Sequence, residues 1–133
     1  MTRGEFTHVE QVRFRDLDPM GHVNNAVFLT YIEQARVAFF AEVGAATGLE
    51  EMNLIVARVE IDFIAPVRFG QEVEISVRAS RFGTKSFDLD YVLRVDGEVV
   101  SEAKSVQVAY DYGRREAVRL PAEWRERMTA VAA

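Results

Sequence analysis

Asp16-Leu17-Asp18-Pro19-Met20-Gly21-His22-Val23-Asn24-Asn25 runs straight into Ala26-Val27-Phe28-Leu29-Thr30-Tyr31-Ile32-Glu33-Gln34-Ala35-Arg36-Val37-Ala38-Phe39-Phe40-Ala41-Glu42-Val43. Pro19 and Gly21 make the first part a loop. Asn24 and Asn25 have side-chain oxygens suited to capping a helix start. The run from Ala26 to Val43 holds no proline or glycine, and Gly44 and Gly48 are natural stops. Its polar residues are few: Thr30, Glu33, Gln34, Arg36 and Glu42. Thr30, Glu33 and Gln34 share one face. A helix this apolar is expected to be buried over most of its surface.

Working outward, His8 to Arg15 alternates well enough to predict a first strand of about eight residues. After a linker at 48–53, strand-like runs dominate. Leu54 to Ile64 is rich in Val and Ile, and Pro66-Val67-Arg68-Phe69-Gly70 is a turn. Gln71 to Arg81 alternates, with Val73, Ile75, Val77 and Ala79 facing one way. Phe82-Gly83-Thr84-Lys85 breaks it, Ser86 to Val95 resumes, and Asp96-Gly97 signals a hairpin into Glu98–Tyr110. Pro121 to Val131 reads as a short terminal helix. The expected class is α+β: one long central helix wrapped by a curved antiparallel sheet. Such a sheet has edges, and pairing two copies removes one of them, so a homodimer or homotetramer is expected.

Length and composition bound the function. The 133 residues suit a single domain, 1–133, with 49% hydrophobic residues and 28% charged. The absence of cysteine excludes disulfides and thiolate chemistry. A net charge of −5 argues against nucleic acid as a partner. No signal peptide or membrane span is evident, and a cytoplasmic location is expected. Lysine occurs only at 85 and 104, so the cations are mostly arginine, a residue suited to phosphate. A calcium loop fails because Met20 and Val27 stand where oxygen ligands belong. His8 and His22 lack zinc spacing. Neither a Gly-x-Ser-x-Gly elbow nor a nucleotide-type glycine loop is present.

The chain resembles the hotdog-fold acyl-CoA thioesterases of the 4-hydroxybenzoyl-CoA thioesterase type. The matching residues are Val12 to Asn25, then Tyr31, Glu33, Ala35 and Arg36. Asp62-Phe63, Pro66 to Gly70 and Arg81 to Phe87 follow in the same order, so the resemblance spans nearly the whole sequence. It implies hydrolysis of an acyl-CoA thioester without a metal or redox cofactor, coenzyme A being part of the substrate. By the family pattern Asp18 is the catalytic carboxylate, as nucleophile or as base for water, and the N–H of Asn25 faces the thioester oxygen. His22 would position Asp18 or water. A helix start offers free N–H groups backed by its dipole, as a developing oxyanion requires. Asp16 either bonds the loop or meets solvent, and Glu33 is expected to be solvated or salt-bridged. For the phosphates of coenzyme A the candidates are Arg58, Arg81 and Lys85, with the turn Gly83, Thr84, Lys85 and Ser86. Phe28, Tyr31, Ile32 and Phe63 are candidates for the acyl pocket. Two other hotdog readings stand beside this one. A dehydratase or hydratase would carry its histidine in a different context. A non-catalytic acyl-CoA or acyl-carrier binding module would not need Asp18.

Overall fold

The computed structural model describes residues 4–44 and 53–130. The predicted linker at 48–53 lies outside them except for Asn53, as do Gly48 and Val131. In chain order the elements are β1 (Glu5–Gln11), a 3-10 turn (Phe14–Asp16), α1 (Asn25–Val43), β2 (Leu54–Phe63), β3 (Glu72–Phe82), β4 (Ser86–Val95), β5 (Glu98–Asp111), β6 (Glu116–Ala117) and α2 (Ala122–Ala130). The sheet runs β1-β3-β4-β5-β2, antiparallel throughout, with β6 attached to β5.

The helix forms where its caps allow. The Asn24 side chain accepts the Ala26 N–H at 2.8 Å, and the chain leaves the helix at Gly44 in the left-handed region at φ 72°. The Arg127 guanidinium of α2 donates to the Gly44 carbonyl, closing that end. The first strand differs from the expected His8–Arg15. It starts at Glu5 and stops at Gln11, because the Asp16 carboxylate accepts the Arg13 N–H at 2.9 Å and folds 14–16 into a 3-10 turn. The hairpin is as expected: Asp96 and Gly97 both have positive φ.

The core lies between α1 and the inner sheet face. Val73, Ile75 and Val77 of β3 and Leu89 and Leu93 of β4 meet Phe28, Ile32, Phe39 and Phe40 of α1. The helix is less enclosed than its composition predicts. Leu29 and Val37 are 45% and 37% exposed, while polar Arg36 is buried and donates to the Tyr91 hydroxyl at 3.2 Å. Tyr91 continues through Ser105 and Gln107 to the Phe87 carbonyl. The cause is placement: α1 packs against β1 and β3. By register, Val56, Val59 and Phe63 of β2 lie on the same face as Gln107, Ser105 and Ser101 of β5, yet all three remain exposed. A strip of β2 beside α1 is therefore apolar and uncovered.

Candidate active site

The Asp18 loop is held from four sides. Asp18 N donates to the His22 carbonyl at 2.7 Å, and Gly21 N to the Asp18 carbonyl at 3.0 Å. Gly21 sits at φ 82°, where a side chain would be strained. Val23 N donates to Val67, anchoring the loop on the β2–β3 connection. Asn24 N donates to the Asp16 carbonyl at 2.9 Å, tying the loop to the helix start. Beneath it Asp16 is buried, accepting Tyr31 Oη at 2.7 Å and the Arg13 N–H. Burial pushes the Asp16 carboxyl up, but the bonds from Arg13 and Tyr31 outweigh it, leaving its pKa below the usual carboxylate value. Burial, then the bond to Asp16, drives the Tyr31 phenol well above its ordinary value. Asp16 is thus the anchor of the loop, and its partner on α1 is fifteen residues away.

Asp18 is left half used. Its Oδ1 accepts the N–H groups of Met20 at 2.9 Å and His22 at 3.2 Å. Its Oδ2 has no partner among the described residues. At the helix start, the N–H of Ala26 is taken by the Asn24 side chain and that of Val27 by the Asn24 carbonyl. The N–H of Asn25 has no partner among the described residues. Asp18, His22 and Asn25 line one cleft of about 420 Å³ with Phe28, Phe63 and Pro66. The His22 ring is half-buried, with no hydrogen bond among the described residues. The cleft therefore joins a carboxylate oxygen, an unsatisfied N–H on a helix dipole and an aromatic wall. Phe28 and Phe63, 5.3 Å apart edge to face, form that wall. Of the other pocket candidates, Tyr31 and Ile32 are core residues.

The second predicted group is elsewhere. Arg81 donates to Ser86 Oγ at 2.9 Å and Asp88 at 2.8 Å, and Gly83 N donates to Ser86 O at 2.7 Å. A Cβ on Gly83 would stand 2.7 Å from the Arg81 guanidinium and 3.3 Å from the Ser86 carbonyl oxygen, so a side chain there would push Arg81 aside. Arg81, Gly83, Thr84, Lys85 and Ser86 are together in the β3–β4 turn, but none lines the Asp18 cleft. Arg58 joins neither group; it pairs with Glu60 on β2. Glu33 is exposed, without an ion pair among the described residues. The walls contributed by Ile64, Ala65 and Pro66 carry no sequence signal beyond the proline-marked strand end.

Residues 12–128 match the thioesterase-like superfamily model. A crystal structure of a thioesterase complexed with coenzyme A and Zn from Thermus thermophilus is 40% identical, superposes with a TM-score of 0.86, and the match covers 93% of this chain and 97% of that one. The long-chain acyl-CoA thioesterase FadM of Escherichia coli is 27% identical over 122 residues, covering 89% of this chain and 92% of that protein. The acyl-acyl carrier protein thioesterase ATL3 of Arabidopsis thaliana is 29% identical over 129 residues, covering 92% and 67%. The helix wrapped by one antiparallel sheet is the hotdog fold, and the chain belongs to the thioesterase-like superfamily.

Proposed function

We propose that this protein hydrolyses an acyl-CoA thioester to the free acid and coenzyme A, with Asp18 as the catalytic carboxylate. One observation carries the reading: Asp18 Oδ2 and the Asn25 N–H, both without partners among the described residues, share a cleft with an aromatic wall. In this reading the thioester oxygen lies on the Asn25 N–H, where the α1 dipole stabilises the charge that develops on it. Asp18 takes a proton from water as the water oxygen bonds to the carbonyl carbon, or adds to that carbon itself and is released by water. Either way the C–S bond breaks, the sulfur leaves as thiolate and is then protonated, and His22 holds the water or Asp18. No metal or redox cofactor is needed. The thioesterases among its relatives support the hydrolytic class.

The same reading includes a homodimer, alone or as half of a tetramer, in the cytoplasm. Support comes from β2, which among the described residues pairs only with β5 and leaves its other edge open beside the uncovered strip of Val56, Val59 and Phe63. Antiparallel pairing of two β2 edges satisfies the backbone and buries that strip. Among the described residues no helix is long and apolar enough to cross a membrane. The test is thiol release from a panel of acyl-CoAs, for the wild type and Asp18→Asn. Turnover that falls at least about a hundredfold in the variant, near 3 kcal/mol of barrier, is expected. Binding of a thioester without turnover would instead favour the acyl-carrier binding module.

A further inference from the structure

Arg36 of α1 is buried at 7% exposure. Its one hydrogen bond among the described residues runs from Nη1 to the Tyr91 hydroxyl. No carboxylate of the described residues lies within ion-pair distance of it. Burial pushes the Tyr91 phenol up, so it stays neutral and supplies no counter-charge. A buried cation without an opposite charge is costly. Nε and Nη2 remain as donors, the pair of edges that a planar carboxylate takes bidentately. Arg36 also lines a groove of about 530 Å³ with Glu33, Val37, Leu54, Val56 and Tyr112.

This groove and the Asp18 cleft are the two ends of one trough. In the cleft Phe28 of α1 meets Phe63 of β2. In the groove Arg36 and Val37 of α1 meet Leu54 and Val56 of β2. Helix and strand thus run side by side in opposite directions. Between the ends, Leu29 and Val59 are apolar and exposed. The trough is therefore apolar along its middle and cationic at the end away from Asp18. We propose that Arg36 binds a carboxylate at the far end of the acyl group, so that the preferred substrates are coenzyme A thioesters of medium-chain dicarboxylic acids. The inference rests on the acyl-CoA reading above and names the acyl class which that reading leaves open. In the dimer proposed there, the acyl chain lies against the β2 strip and shares in covering it.

The length follows from the helix. From Asn25 to Arg36 α1 rises about 16 Å. Side chains on a helix lean toward its start, which brings the guanidinium back by roughly one turn, about 5 Å. The remaining span of about 11 Å takes about nine bonds of an extended chain at roughly 1.2 Å each. Decanedioic acid has that reach. Glu33 stands on the rim of the groove but is exposed, so water and salt screen its repulsion of the carboxylate.

The experiment compares thiol release from two thioesters of equal length, decanoyl-CoA and the coenzyme A monothioester of decanedioic acid. The proteins are the wild type, Arg36→Met and Arg36→Lys, with melting curves and sedimentation for each. The wild type should favour the dicarboxylic thioester by at least about tenfold in kcat/KM, carried by KM, because a site built for a polar group rejects the analogue lacking it. Arg36→Met should bring that ratio to one or below, and Arg36→Lys should retain part of it. The butanedioic and butanoyl pair is too short to reach Arg36, and its ratio should not depend on that residue. A wild type that treats the decanoyl pair alike overturns the proposal, whether or not the variants fold. An equal loss on both substrates in Arg36→Met also overturns it. So does altered sedimentation with an unchanged ratio, which assigns Arg36 to a contact between copies. Calorimetric titration with the same thioesters separates the two readings. Arg36-dependent binding of the dicarboxylic thioester without cleavage of any thioester refutes the hydrolase and leaves the subsite. Cleavage of both with equal kcat/KM refutes the subsite and leaves the hydrolase.

Discussion

Tyr31→Phe removes one oxygen from a core position and leaves the ring. That oxygen donates to Asp16 Oδ2 at 2.7 Å. Both residues are buried, Tyr31 fully and Asp16 to 3% exposure, so water does not readily replace the bond. A hydrogen bond to a buried charge contributes about 1.5–3 kcal/mol. Asp16 keeps the Arg13 N–H, and its carboxylate stays compensated in part, which favours the lower half of that range. For a chain of this length about 2 kcal/mol lowers Tm by roughly 6 °C. The pH dependence adds a second signature. The Asp16 carboxyl is held below its ordinary value. Its contribution is therefore complete above the unfolded value, about 3.9, and is lost as pH falls through the folded one. Tyr31→Phe weakens that hold, so acid unfolding moves to higher pH and the gap to wild type narrows in acid. Urea titrations at pH 7 and across pH 2–5 measure both, at fixed protein concentration because the proposed dimer would contribute to apparent stability. A variant within about 0.5 kcal/mol of wild type at pH 7, or a gap that grows in acid, would refute the role given to Asp16.

Three further outcomes follow from the same geometry. Asn24→Ala removes the cap on Ala26; it should cost about 1 kcal/mol in denaturant titrations and lower kcat by loosening the Asn25 N–H. Gly21→Ala meets no atom within 4 Å but must hold φ 82°; a loss of about 1–2 kcal/mol from backbone strain alone is expected in thermal melts. Val59→Lys places a charge in the exposed strip of β2. Sedimentation should then show a dimer for the wild type and a monomer for the variant, and an unchanged dimer would remove β2 as the interface.

The helix and the long strands were legible because their signals are local. An uninterrupted apolar run, an Asn24 cap and a Gly44 stop define α1, and strict alternation defines the buried face of β3. Asp18 and Asn25, which the family resemblance puts together, do line one cleft, and one short loop joins them. What escaped depends on distant partners. Arg36 looks like surface charge until Tyr91, 55 residues on, receives it. Asp16 looks optional until Tyr31 closes over it. The end of β1 moved because Asp16 bonds Arg13, a side-chain interaction that competes with the strand. β6 is two residues long, too short for any periodicity. Charge alone groups Arg58 with the β3–β4 turn, whereas it pairs with Glu60 two residues along β2, and register sets it opposite Val106 of β5.

The most direct measurement is free-thiol release from acyl-CoAs by the wild type and by Asp18→Asn, both shown to be folded by their melting curves. Turnover by the wild type and a loss of at least about a hundredfold in Asp18→Asn are predicted. Equal turnover by the two proteins would contradict the account and reduce Asp18 to a loop residue.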